Sequence, residues 1–324
     1  MKLIIQIPCY NEEETLAVTL RDLPRTVAGF DNVEWLIIND GSRDETVEVA
    51  RANGVDHIVS FRRNQGLARV FMAGLDACLK LGADVVVNTD ADNQYDARDI
   101  PSLVKPILDR KADVVVGARP ISKIEHFPFI KKQLQKLGSW VVRLASRTEI
   151  PDAPSGFRAM SRDAAMRLNV FNDYTYTLET IIQAGQKNMA IVSIPVHVNK
   201  DLRPSRLVKS IPSYLGKSII TIIRIFVVYK PFRFFMTLGL LVFLTGFFIG
   251  LRFLFFYFFT TDASGHIQSL ILASILLGMG FQTMALAFLA DLLAVNRRLM
   301  EDVQYRMRIT ESKRQDEDIP PDET

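Results

Sequence analysis

Directly after the apolar run Val85-Val86-Val87 comes the segment Asn88-Thr89-Asp90-Ala91-Asp92-Asn93-Gln94. Two carboxylates two residues apart, followed by an amide oxygen two further on, are hard donors that suit Mg²⁺ or Mn²⁺, ions that keep several waters and also take phosphate oxygens. Asp90, Asp92 and Gln94 are therefore the candidate metal ligands, and a divalent ion on a diphosphate is the chemistry they fit. An isolated Asp-x-Asp triplet is an ordinary solvated turn, so position has to decide. Two further polar clusters end similar apolar runs: Pro8-Cys9-Tyr10-Asn11-Glu12 after Leu3 to Pro8, and Asn39-Asp40-Gly41-Ser42 after Trp35 to Asn39. Asn, Asp and Gly are common turn formers, but three such clusters at strand ends point to one shared rim. No Gly-x-Gly-x-x-Gly follows the first run and no Gly-Lys-Ser/Thr is present, which disfavours a dinucleotide oxidoreductase or a P-loop enzyme. The charge of a diphosphate then falls to metal and basic side chains.

The elements that must position these residues are legible as a period. Short apolar runs at Leu3 to Pro8, Trp35 to Asn39, His57 to Phe61, Val85 to Thr89 and Val114 to Gly117 alternate with helical patterns at Glu13 to Val27, Asp44 to Asn53 and Leu67 to Leu81. Alternating strands and helices imply right-handed crossovers and a doubly wound α/β domain with a mostly parallel, Rossmann-like sheet. Such sheets take ligands beyond the carboxyl ends of their strands, where the three polar clusters fall.

Composition shifts near residue 207 of the 324. Phe234 to Leu251 carries no charge, the apolar run resumes after Arg252 through Phe253 to Phe259, and a second runs uncharged from Ile267 to Ala290. About 20 apolar residues cross a bilayer as a helix, so both are read as transmembrane spans; Arg252 either snorkels or pairs across the helices. Lys209, Lys217, Arg224, Lys230 and Arg233 precede the first span and Arg297 and Arg298 follow the second, while the loop Thr260 to His266 has no Lys or Arg. The positive-inside rule makes both termini cytoplasmic, and no signal peptide is expected from a chain that opens into a strand. Lys209, Lys217 and Arg224 share one face of an amphipathic interfacial helix among Ile219, Ile220, Ile222, Ile223, Phe226 and Val227. The expected organisation is a catalytic domain over 1–206, interfacial helices over 207–230, a two-span anchor over 231–299, and a charged tail over 300–324 that is disordered beyond its first turns. Cys9 and Cys78 read as free buried thiols. A net charge of +3 gives no sign of a nucleic-acid partner.

Taken in order, Pro8-Cys9-Tyr10-Asn11-Glu12-Glu13, Asn39-Asp40-Gly41-Ser42, Asp90-Ala91-Asp92-Asn93-Gln94 and Ser155-Gly156-Phe157-Arg158 resemble the family 2 glycosyltransferases with a GT-A fold. Within them the chain is most similar to the polyprenyl-phosphate sugar transferases, the group of dolichyl-phosphate mannose synthase and bacterial undecaprenyl-phosphate glucosyl transferases. The resemblance implies that Pro8, Tyr10, Asn11, Glu12, Asn39, Asp40, Asp90, Ala91 and Asp92 bind a nucleotide-sugar donor. Asp90, Asp92 and Gln94 would hold Mg²⁺ or Mn²⁺, and Arg203 and Arg206 would fold over the donor diphosphate. A plain basic patch facing the membrane is the competing reading for those two. Asn39 stands where relatives usually carry an acid; its amide matches the N3–H and O4 of uracil, which favours a UDP-sugar over GDP-mannose.

On the acceptor side the resemblance places Arg119, Lys131, Gln135, Ser155, Gly156 and Arg158, with Asp152 in the same loop and Glu179 nearby. Arg119 and Lys131 join Asp90 and Asp92 as the catalytic set. A phosphate monoester is already largely ionised near neutral pH, with a second pKa of about 6, so no strong base is needed. The expected reaction is inverting transfer of one sugar to a polyprenyl phosphate such as undecaprenyl phosphate, at a bacterial inner membrane, by a monomer or a homo-oligomer, as in assembly of a cell envelope glycan. The competing readings are a processive polysaccharide synthase, which would carry Gln-x-x-Arg-Trp, and a non-catalytic membrane scaffold. The only tryptophans are Trp35 and Trp140, neither preceded by Arg.

Overall fold

The computed structural model describes residues 1–120, 148, 150–170, 176–199, 220, 223–224, 227–259 and 267–317, with side chains to 311. Its contacts divide the chain into two units, Met1–Gly216 together with Asp302–Thr324, and Lys217–Glu301. Among the described residues the first unit holds seven strands: β1 (Lys2–Cys9), β2 (Asn32–Asn39), β3 (His57–Ser60), β4 (Val85–Asn88), β5 (Val114–Ala118), β6 (Arg158–Ser161) and β7 (Ile191–Pro195). The helices are α1 (Glu13–Asp22), α2 (Thr46–Ala52), α3 (Leu67–Lys80), α4 (Ile100–Leu108), α5 (Arg162–Arg167) and α6 (Thr177–Gln186), followed by α7 (Pro231–Phe259) and α8 (Ile267–Glu317).

The strands form one sheet in the order β3-β2-β1-β4-β6-β5-β7. Every pairing is parallel except those of β6, which runs against both β4 and β5. From β1 the chain winds outward to β2 and β3, then returns to place β4 on the other side of β1, so the order reverses between β1 and β4. That reversal opens a crevice at their carboxyl ends. β1 is buried along nearly its whole length because both its faces are covered: Leu3, Ile5 and Ile7 pack with Leu16 and Leu20 of α1 and Leu103 and Val104 of α4, while Gln6 meets Cys78 of α3. Pro8 is tolerated in this central strand. The carbonyls of Gln6 and Cys9 accept from Thr89 and Asp40 respectively, so even-numbered residues face β4, whose pairing stops at Gln6↔Asn88, and the missing N–H of Pro8 falls beyond it.

The five expected strands are all present. β6 and β7 were not read from the sequence. β6 has four residues beginning with an arginine, and β7 ends in a proline.

In the second unit, α7 and α8 are long and apolar enough to cross a membrane. They pack through small residues: a Cβ on Gly280 would stand 2.6 Å from the Phe243 nitrogen, and one on Gly246 would stand 2.9 Å from the Leu277 nitrogen. Ala273, Ala287 and Ala294 are likewise buried and share the seven-residue spacing of Gly280. The interfacial helix expected over 207–230 lies almost wholly outside the described residues. The expected disorder after residue 300 is corrected over most of its length, because α8 continues to Glu317. Within the first unit, Arg308 donates to the carbonyls of Met166 and Leu168 at 2.9 and 3.0 Å and to Asp76 at 2.9 Å, and the Tyr305 hydroxyl donates to Asp163 at 2.8 Å. These bonds hold a helix that its mixed charges alone would not.

Candidate active site

Four parallel strands, β1, β2, β4 and β5, end on one rim, and antiparallel β6 enters the sheet from it, with Arg158 opposite Asn88. The polar clusters therefore share that rim.

The loops after β1 and β2 are cross-linked. Asn11, in the left-handed region at φ 55°, donates its N–H to Ser42 Oγ and accepts from the Arg43 N–H, both at 2.9 Å. The Glu12 N–H donates to Thr46 Oγ1 at 2.9 Å. Asp40 is buried and accepts from the N–H groups of Gln65 and Gly66 at 2.6 and 3.1 Å, which pins the chain at the start of α3; burial raises its pKa and those two amides oppose the rise. Tyr10 is exposed at the rim and Pro8 is buried beneath it. Asn39 is buried, with its Oδ1 accepting from the Ser42 N–H at 2.9 Å and its Nδ2 donating to Ser60 Oγ at 3.4 Å. The turn thus engages the amide oxygen and the end of β3 engages the amide nitrogen.

The Asp90 loop is fixed from several sides. Thr19 on α1 donates to the Ala91 carbonyl at 2.9 Å, Asn93 takes a left-handed φ of 57° and donates to Asp22 at 3.0 Å, and the Gln94 N–H donates to Asp92 Oδ1 at 3.1 Å. The Asp90 carboxyl is raised to about 7, first by burial and then by the Asp92 charge, against the pull of Arg119 and Arg158. Two carboxylates that repel in this way fit a divalent cation. No group of three His, Cys, Asp or Glu side chains able to cage a metal occurs among the described residues, so the remaining positions suit phosphate oxygens and water, as Mg²⁺ and Mn²⁺ prefer. Gln94 uses its amide oxygen otherwise, accepting from Arg119 Nη1 at 3.3 Å.

Arg119 stands on the same rim after β5. Asp152 clasps it with a two-pronged pair, Nε to Oδ2 at 2.8 Å and Nη2 to Oδ1 at 3.1 Å. Asp152 is buried, whereas Arg119 keeps a partly exposed edge. Burial opposes the charge on its guanidinium, but Tyr95, Asp152 and Asp90 together hold it firmly protonated.

Ser155 and Gly156 lie beneath the rim, bonded to the Tyr95 hydroxyl at 3.5 and 3.0 Å. Arg158, expected to touch the acceptor, is corrected: it is 0 % exposed and donates to the carbonyls of Ser155 and Ala153, both at 2.8 Å, and to Thr180. It clamps the loop from inside. Lys131, Gln135, Arg203 and Arg206 lie outside the described residues. The sequence reading missed Thr19, Asn88, Tyr95 and Tyr176, although a polar Asn88 at the end of an all-valine buried strand was a usable signal.

Comparison with known proteins agrees with this architecture. The family model for glycosyl transferase family 2 matches residues 4–168, half of the chain. The chain is 26% identical over 235 residues to an undecaprenyl-phosphate mannosyltransferase of Micrococcus luteus, covering 69% of this chain and 93% of that one. It is 27% identical to a UDP-N-acetylglucosamine–dolichyl-phosphate N-acetylglucosaminyltransferase of Methanococcus voltae, covering 59% and 82%. Among solved structures, glucosyl-3-phosphoglycerate synthase from Mycobacterium tuberculosis, in complex with Mn²⁺, UDP and glucosyl-3-phosphoglycerate, superposes with a TM-score of 0.53 at 22% identity over 69% of this chain and 78% of that one, a likeness of fold. The mostly parallel sheet with its strand-end carboxylates is the GT-A fold, and the chain belongs to glycosyl transferase family 2.

Proposed function

We propose that this chain transfers a single sugar, with inversion, from a nucleoside-diphosphate sugar to a polyprenyl phosphate such as undecaprenyl phosphate, giving a lipid-linked monosaccharide. The observation that carries the proposal is the rim itself: Asp90 and Asp92 stand beside an arginine fixed by Asp152 and linked to the carboxylate loop through Gln94. Relatives named for mannosyl and N-acetylglucosaminyl transfer to undecaprenyl and dolichyl phosphates support the acceptor class, and two apolar helices suit a lipid substrate. Since Asn39 serves the turn, the proposal specifies a nucleoside diphosphate and leaves its base to the assay.

In the reaction an oxygen of the lipid phosphate attacks the anomeric carbon from the face opposite the leaving group. The bond from that carbon to the nucleoside diphosphate breaks, and the configuration inverts. Asp90 and Asp92 would hold Mg²⁺ or Mn²⁺, whose positive charge would stabilise the departing diphosphate. Arg119, its fork oriented by Asp152, offers its exposed edge to the acceptor phosphate. The cross-linked loops at Asn11 and Ser42 hold the nucleoside side of the rim rigid. Lys131 and Gln135 for the acceptor, and Arg203 and Arg206 for the diphosphate, complete the proposal. The positive-inside pattern supports a topology with both termini on the cytoplasmic side, and the membrane we propose is a bacterial inner membrane.

The test is a transfer assay with the purified full-length protein, undecaprenyl phosphate, and UDP-glucose, UDP-N-acetylglucosamine or GDP-mannose, with and without Mn²⁺. One sugar per lipid, dependent on metal, is the expected product. No lipid-linked product from any of these donors would overturn the proposal, and a polymer would establish the processive alternative.

A further inference from the structure

A line of buried polar side chains crosses the core beneath the rim. Gln6 Nε2 donates to Asn88 Oδ1 at 2.9 Å, and Asn88 Nδ2 donates both to the Gly156 carbonyl at 2.8 Å and to the Tyr176 hydroxyl oxygen at 2.9 Å. A backbone carbonyl can only accept, so the bond to Gly156 fixes which end of the Asn88 amide is nitrogen. The Tyr176 oxygen is therefore an acceptor toward Asn88, and its own proton must point elsewhere.

Tyr176 is 1 % exposed, and its ring stacks on Phe71 with centroids 4.0 Å apart and planes 13° from parallel. The hydroxyl thus has one fixed location. A Cβ built on Gly156 would lie 3.0 Å from that hydroxyl and 2.9 and 3.0 Å from Oδ1 and Oδ2 of Asp90. Hydroxyl and carboxylate face one another across the bare Cα of Gly156, under about 6 Å apart and within reach of one bridging water. Threading three polar side chains through an apolar core is costly unless each is satisfied. Here the line ends at the Tyr176 hydroxyl, beside that carboxylate.

We propose that Tyr176 is a positioning residue for Asp90: its proton, turned away from Asn88, is donated through one water to the inner side of the carboxylate, which turns the outer lone pairs toward the metal. The inference rests on the reading of Asp90 as a metal ligand. Groups that fix a ligating carboxylate from behind typically change metal affinity 10–100-fold when removed.

Tyr176→Phe keeps the ring and removes the hydroxyl, while Phe71→Leu disturbs the stack and keeps the hydroxyl. The measurement is the Mn²⁺ dissociation constant of each full-length protein in detergent, in the presence of UDP and of GDP, by electron paramagnetic resonance of free Mn²⁺, alongside the melting temperature. Tyr176→Phe is expected to weaken Mn²⁺ binding about tenfold and, because Asn88 loses an acceptor, to lower the melting temperature by a few degrees as well. Phe71→Leu is expected to lower the melting temperature and leave Mn²⁺ affinity unchanged. An unchanged dissociation constant in Tyr176→Phe overturns the proposal, as does an equal loss in Phe71→Leu or the absence of Mn²⁺ binding by the wild type. If the wild type binds Mn²⁺ yet makes no lipid-linked sugar, the transfer reading fails while the Tyr176 proposal is still decided by the dissociation constants.

Discussion

The Cα of Gly156 faces the carboxylate of Asp90 so closely that a methyl group on it would stand 2.9 Å from Oδ1 and 3.0 Å from Oδ2. Gly156 lies two residues before β6 and Asp90 two residues after β4, so the contact is where the antiparallel strand brings its preceding loop against the carboxylate loop. Gly156→Ala should displace Asp90, lowering transfer at least tenfold and stability by about 1–3 kcal/mol, the usual cost of overpacking. Steady-state transfer and thermal melting check this; wild-type activity would show that the carboxylate does not depend on that face.

Asp90 also makes stability depend on pH. A carboxyl whose folded pKa is raised to about 7, above an unfolded value of about 3.9, contributes stability that is complete below the unfolded value and lost as pH rises through the folded one. Asp90→Asn removes that loss. The metal-free variant should therefore be more stable than the wild type at pH 8 by about 2–4 kcal/mol and little different at pH 4, while transfer is abolished. Melting in chelator at both pH values reads the sign, and equal shifts would refute it.

The Arg119–Asp152 pair is buried on the carboxylate side. Asp152→Ala leaves an unanswered guanidinium and should cost about 3–5 kcal/mol. Arg119→Lys keeps the charge but gives up the fork, so the protein should fold while kcat/KM for the lipid acceptor drops about tenfold or more. An Arg119→Lys enzyme of normal efficiency would remove Arg119 from the acceptor site.

Arg308 closes the carboxyl end of α5 by binding the carbonyls of Met166 and Leu168, and reaches Asp76 on α3. Arg308→Ala should lower stability by about 1–3 kcal/mol and speed amide exchange in residues 162–168. Unchanged exchange there would mean that the helix end holds without it.

The sequence disclosed the parts whose information is local. β1, β2 and β4 each carry a mainly apolar run that ends in a polar cluster, so the rim and its carboxylates could be read without coordinates. What escaped was set by contacts between distant positions. Arg158 looks like a rim arginine because it follows Ser155-Gly156-Phe157, and only its burial against Thr180 and the Ser155 carbonyl shows it to be a clamp. Gln6, Asn88 and Tyr176 are separated by scores of residues and form a line only when β1, β4 and α6 are assembled. The partners of Asn39 were hidden for a similar reason, since its amide meets Ser42 in the turn and Ser60 at the end of β3. The helix beyond Glu301 was hidden because its support comes from Asp76, Asp163 and the end of α5.

The first unit is discontinuous, made from the opening 216 residues and the segment from Asp302 onward. A ribosome thus finishes both apolar helices before it releases the piece that Asp76, Asp163 and the α5 carbonyls are waiting for. Completion of the catalytic unit is in this way tied to the order of synthesis.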